Sequence, residues 1–151
     1  MNYPVLAIQH SGFSQMLRSE DYWTSLPLAF INLYKRRISV LFFYSKDGNK
    51  WRLRSIRPGE SIGLILRMFG LWLGLSLRTV SVFVEFEPAG PYATEDLKAA
   101  LRSAVEADDD ILCQFHDKEQ ILAWLDEAQS VARIFDLYDR ITKEHFRGKR
   151  T

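Results

Sequence analysis

Cysteine is nearly absent from this chain, with Cys113 the single one. It cannot close an intramolecular disulfide, and no other thiolates exist to build a metal cage, so the composition fits a reducing cytoplasm. Histidine is scarce as well. His10, His116 and His145 form no HExxH and no pair at helical spacing, and Cys113-x-x-His116 offers two ligands with no second pair. No metal and no other cofactor is expected. The chain also lacks a Walker A loop and a G-x-S-x-G elbow, and the segment Gly59 to Gly63 has neither the Gly-Lys-Ser/Thr ending nor the spacing of a dinucleotide turn. These absences argue against a nucleotide enzyme and a serine hydrolase, and no catalytic residue is expected.

Long apolar runs are missing too. The most apolar stretch, Ile62 to Leu77, is 16 residues long and contains Arg67 and three glycines (Gly63, Gly70, Gly74). A helical membrane span needs about 20 apolar residues, and a charge at its centre costs about 2.5 to 3.5 kcal/mol. The stretch is therefore expected in the core, as a buried helix over about 61–69 with Arg67 snorkelling to water. No membrane partner follows. The opening residues, Met1 to His10, lack the basic and apolar regions of a signal peptide.

What is present is ordinary soluble composition: 151 residues, 47% hydrophobic and 26% charged. That is enough for one globular domain, 1–151, with its own core. Net charge is +1, yet it is unevenly spread. Residues 1–90 hold 11 Lys/Arg against 6 Asp/Glu, and residues 91–151 hold 9 against 13. Between Glu95 and Glu127 ten acids face only Lys98, Arg102 and Lys118. Such separation creates a local potential that can steer a partner of opposite sign.

Patterning suggests an α+β fold, an antiparallel sheet with a central hairpin covered by C-terminal helices. Tyr3 to Gln9 reads as a strand, Gly12 to Tyr22 as helix or loop, and 28–34 as a short helix. Ile38 to Tyr44 and Trp51 to Ile56 flank the turn residues Lys46-Asp47-Gly48-Asn49, a hairpin signature. Alternation puts Trp51 and Leu53 on a packed face and Lys50, Arg52 and Arg54 on a cationic one. Thr79 to Glu87 alternates likewise, with Val80, Val82, Val84 and Phe86 on one side. A helix capped by Thr94 carries Leu97, Ala100, Leu101, Ala104 and Val105 on one stripe. Ile111 to Phe115 reads as a short strand, Asp117 to Gln120 as a capping box before Ile121, Leu122 and Leu125, and 129–145 as a third helix. A frayed basic tail is expected over 146–151.

Two charged surfaces are candidates. Lys50, Arg52, Arg54 and Arg57 could contact nucleic-acid phosphates, although no aromatic interleaves with them and the pI of about 7.9 is low for that role. Lysines and arginines also protect an exposed strand edge, which explains the row without a ligand. Glu106, Asp108, Asp109, Asp110, Asp117 and Glu119 could present carboxylates to a cationic partner, with Phe115 or Trp124 as apolar anchors. Helix capping accounts for such acids equally well.

The run Asp109 to Asp117, followed by helices containing Ile121, Leu125, Val131 and Phe135, resembles the C-terminal halves of bacterial immunity proteins from contact-dependent and other polymorphic toxin systems. The resemblance covers about residues 80–140, and the hairpin with Asp47-Gly48 and Trp51 is compatible with it. It implies a cytoplasmic, non-enzymatic inhibitor that binds one cognate toxin domain, often a nuclease. No residue role carries over, and the oligomeric state stays open. A small nucleic-acid-binding module using the basic hairpin is the alternative.

Overall fold

A computed structural model of the chain describes residues 1–9, 12–59, 79–107, 113 and 116–148. The elements run β1 (Val5–Gln9), β2 (Phe13–Leu17), a 3₁₀ turn (Glu20–Trp23), β3 (Ser25–Pro27), α1 (Leu28–Arg37), β4 (Leu41–Ser45), β5 (Asn49–Pro58), β6 (Thr79–Pro91), α2 (Thr94–Glu106), α3 (Lys118–Glu127) and α4 (Val131–Gly148). Six strands form one curled sheet in the order β2-β1-β4-β5-β6-β3, and every pairing is antiparallel. The fold is α+β, with the C-terminal helices packed against the sheet.

Both faces of the first strands are buried, which explains why β1 reads as nearly continuous apolar sequence. Leu6 and Ile8 point to one core with Tyr44 and the inner stripes of α2, α3 and α4, while Val5 and Ala7 point to a second with Trp23, Ile31, Tyr34, Phe43, Leu53 and Ile56. The α2 stripe is buried at all five expected positions. Trp23 centres the second core, meeting Tyr22, Tyr34, Phe43 and Phe86 edge-on at centroid distances of 5.0, 5.3, 5.8 and 5.4 Å. Such pairs add about 0.5–1.5 kcal/mol each beyond burial.

The hairpin forms with a three-residue loop. Ser45 and Asn49 end its strands, Gly48 donates its N–H to the Ser45 carbonyl at 3.1 Å, and Gly48 holds φ +84°, a region that glycine enters without a Cβ penalty. Asp47 accepts from the Ser45 hydroxyl, from Asn2 Nδ2 at 2.7 Å and from the Asn49 N–H at 3.2 Å.

Several expectations are corrected. The segment Gly12 to Tyr22, expected as helix or loop, holds strand β2 and most of the 3₁₀ turn. Met16 packs on the first core and Ser14 is buried facing α4, whereas Phe13 and Leu17 pack on the second core, so no single face is apolar. The strand expected from Ile38 starts at Leu41, because α1 runs on to Arg37 and Ile38 caps it in helical geometry. Ala93, not Thr94, is the N-cap of α2, with the Asp96 carboxylate accepting the Ala93 N–H at 2.8 Å. The last helix, α4, extends to Gly148, and 149–151 lie outside the described residues. The apolar stretch 62–77 lies outside the described residues, as does the 111–115 strand apart from Cys113.

Candidate functional site

The acids of the 95–127 stretch divide into two groups. Asp96 caps α2, Glu95 pairs with Lys98 at 3.5 Å, and Asp126 pairs with Arg102 while its carbonyl accepts from Lys98 at 3.3 Å. Asp126 ties α3 to α2, while Asp96 and Glu95 act within α2. Glu106, Asp117 and Glu119 are exposed and pair with no cation among the described residues. They flank the connection between α2 and α3. Asp108, Asp109, Asp110 and Phe115 lie within that connection and outside the described residues.

Helix electrostatics distinguish the three. Glu119 sits in the first turn of α3, where the positive end of the dipole favours a carboxylate. Asp117 is the N-cap, but its side chain makes no capping bond, so the expected capping box is not formed. Glu106 occupies the last turn of α2, at the negative end of the dipole, with no basic side chain in that turn. Lys118 reaches this end, yet it donates to the Glu106 carbonyl at 2.8 Å. Capping thus accounts for Glu119 and not for Glu106.

The basic row differs from its sequence pattern. Lys50 and Arg52 lie where β5 is paired with both β4 and β6, so edge protection does not explain them, whereas Arg54 and Arg57 lie beyond the residues paired with β4. A register shift between Leu53 and Ser55 places Arg54 in a bulge, and beyond it Ile56 rather than Ser55 turns inward. Lys50 stacks over Phe42 and Tyr44 at 5.2 and 5.9 Å, and Arg57 over Phe83 at 5.8 Å. Phe83 is 59% exposed, which supplies an aromatic that sequence reading did not place beside the row. The same face of β6 carries Glu85 opposite Ser55 and Glu87 opposite Arg52, and Arg52 is ion-paired with Glu87. Alternation in 79–87 had already put Phe83, Glu85 and Glu87 together; only the pairing register brings them against the cations.

A third surface had no sequence counterpart. An open groove of about 490 Å³ runs between α3 and α4. Half-buried Trp124 and Leu137 rest on the first core and form its floor. Arg140 stacks over the Trp124 indole at 5.5 Å, and the His116 ring meets the same indole edge-on at 5.2 Å. Arg133 and Arg140 line the α4 side, with Asp136 between them paired to Lys46 at 3.2 Å.

Cys113 is half-buried against the first core and donates to the Val105 carbonyl at 3.7 Å. Among the described residues, no group of three or more His, Cys, Asp or Glu side chains could hold a metal ion, and no helix is long and apolar enough to cross a membrane. The shifted tyrosines are packing residues. Burial pushes the Tyr34 and Tyr92 hydroxyls above their ordinary range and that of Tyr44 up to about 12, with the Asp96 charge adding to the last.

No protein-family model matches this chain, and neither the curated proteins nor the solved structures include a match to it.

Proposed function

We propose that the protein is a binding protein of the immunity type, which neutralises a cognate cytoplasmic toxin domain by covering its active site or an adjacent surface. A nuclease with a basic cleft is the toxin that suits it. Such a cleft must attract polyanions, and an inhibitor offering carboxylates gains association rate and specificity there. The observation that carries the reading is the exposed set Glu106, Asp117 and Glu119, unpaired among the described residues, with Glu106 placed where the dipole of its own helix disfavours it. Asp108, Asp109 and Asp110 fall between Glu106 and Asp117 in the sequence and lie outside the described residues. The test is co-expression with the toxin domain encoded beside the gene. Survival should require the protein, and changing Glu106, Asp117 and Glu119 together to Gln, Asn and Gln should weaken complex formation and flatten its salt dependence. A neighbourhood without a toxin gene, or no protection, rejects the reading.

The second reading is a small nucleic-acid-binding module at Lys50, Arg52, Arg54 and Arg57. What favours it is Phe83, an exposed aromatic under Arg57 on which a base could stack. Glu85 and Glu87 on the same face weigh against it. Its signature is affinity for arbitrary single strands that falls steeply with salt.

A further inference from the structure

We propose that the groove between α3 and α4 is a docking site for a short acidic and apolar segment of a partner protein, with carboxylates on Arg133 and Arg140 and an apolar side chain against Trp124 and Leu137. This goes beyond the toxin reading and stands without it. The three α4 side chains recur at i, i+4 and i+7, one face of the helix, and seven residues of rise separate the two arginines by about 10.5 Å. Neither arginine is ion-paired with a carboxylate among the described side chains, which end at Lys143. Asp136, which lies between them, is engaged by Lys46 at 3.2 Å. The α4 wall is therefore cationic where a ligand would touch it.

Arg140 is also positioned. Its guanidinium lies over the indole of Trp124 at 5.5 Å, and the ring is braced on its edge by His116 at 5.2 Å. Stacking uses the face of the guanidinium and leaves its N–H edge for a carboxylate, so little side-chain entropy remains to be lost on binding. Trp124 and Leu137 then offer a floor that is apolar yet incompletely buried, an arrangement typical of an anchor pocket rimmed by charges. Glu127, at the end of α3, lines the opposite side and keeps an incoming acid on the α4 wall.

The spacing sets the ligand's shape. In a polyproline II segment, residues three apart point the same way and lie about 9 Å from one another, close to the separation of the arginines. The residue that follows the first acid is turned about 120° from both acids, so with the acids on the α4 wall an apolar side chain there is directed to the groove floor. Phosphate groups would satisfy the arginines and leave the floor dry of contacts, so a polypeptide fits better than a nucleic acid.

The experiment is an amide and indole NMR titration of the full chain with a blocked peptide, acetyl-Ser-Asp-Leu-Ser-Asp-Ser-amide. Saturable shifts are expected at the Trp124 indole N–H and around Arg133, Leu137 and Arg140. Changing both aspartates of the peptide to asparagine, or the protein to Arg133→Glu with Arg140→Glu, should weaken binding at least about tenfold, as loss of a charge-assisted pair requires. Both arginines are exposed, and the double variant gives up the stacking of Arg140 on Trp124, so it should stay folded with a Tm lowered by only a few degrees. No saturable shift at millimolar peptide, equal binding of a lysine-substituted peptide, or shifts confined to another surface overturns the proposal. So does preferential binding of a single-stranded oligonucleotide at the groove, or self-association through it.

Discussion

The Ser14 hydroxyl on edge strand β2 lies 2.9 Å from the Tyr138 hydroxyl on α4, with both side chains about 2% exposed. This contact joins the first hairpin of the chain to its last helix across the first core. A buried hydrogen bond of this kind contributes about 1 kcal/mol, and removing one partner exposes the desolvation cost of the other. Ser14→Ala should therefore lower Tm by about 2–4 °C in a chain of this size. Tyr138→Phe should do the same. The double variant should cost less than the two singles together; strict additivity in a thermal double-mutant cycle would show that the contact carries no energy.

Gly48 makes a second stability prediction. Its φ of +84° disfavours any L side chain, although a Cβ there would meet nothing within 4 Å. Gly48→Ala should cost about 1 kcal/mol through backbone strain alone, and Gly48→Asn less, because asparagine tolerates this region. The Gly48 carbonyl also accepts the Tyr92 N–H at 2.9 Å, so the damage should spread to the end of β6. Amide exchange at Tyr92 is the readout. Protection unchanged from wild type would separate the turn from that strand.

The pattern of success in reading the sequence has a physical origin. α2 was legible because it lies on one core, so its buried residues repeat at helical spacing. The alternation of Val80, Val82, Val84 and Phe86 survived for a similar reason, since all four face the second core. β2 was not legible, because Ser14 and Met16 serve one core and Phe13 and Leu17 the other. The candidate acids were identifiable as charges, but only the ends of α2 and α3 separate Glu119, which suits its helix, from Glu106, which does not. Arg133, Leu137 and Arg140 could have been picked out as one helical face. Their relation to Trp124 depends on how α3 packs beside α4.

Stability should fall on both sides of neutrality. The Asp47 carboxyl is held below its ordinary range chiefly by the Ser45 hydroxyl, with Asn2 and Asn49 assisting. Burial pushes Asp139 up, but bonds and charges from Lys143 and Arg18 outweigh it and hold that carboxyl low as well. Depressed carboxyls contribute stability above the unfolded value, near pH 4, and lose it as pH falls through the folded value. On the alkaline side Tyr44, raised to about 12, contributes stability that is intact below about pH 10 and disappears as pH approaches 12. Denaturant midpoints measured across both limbs should bend in these windows. Asp139→Asn should remove part of the acid limb, and Tyr44→Phe part of the alkaline one.

The acidic row on β6 should act as a brake on nucleic-acid binding. Arg52 is committed to Glu87, and Glu85 lies across from Ser55 beside the remaining cations. Wild-type protein should show negligible affinity for a random single-stranded oligonucleotide at moderate salt. Glu85→Gln with Glu87→Gln should raise affinity several-fold, with a steeper salt dependence, since two like charges are removed from the path of the phosphates. Fluorescence anisotropy measures both. Tight wild-type binding, reduced by Phe83→Ala, would instead favour the nucleic-acid reading.

Glu106 and Glu119 allow stability and binding to be set against each other. Glu106 stands at the negative end of the α2 dipole and Glu119 at the positive end of the α3 dipole, both exposed. Glu106→Gln should leave stability unchanged or raise it by about 0.3–1 kcal/mol, whereas Glu119→Gln should lower it by a similar amount. If both carboxylates face a cationic partner, each substitution should nevertheless slow association, and the loss should shrink as salt rises. Glu106→Gln is then a variant that folds better and binds worse, an outcome that a purely structural role does not produce. Paired thermal melts and association rates with the toxin domain decide it. If Glu106→Gln gains stability and keeps its full association rate, the carboxylate is not part of the interface, and the docking surface must be sought at the α3–α4 groove or on the β5–β6 face.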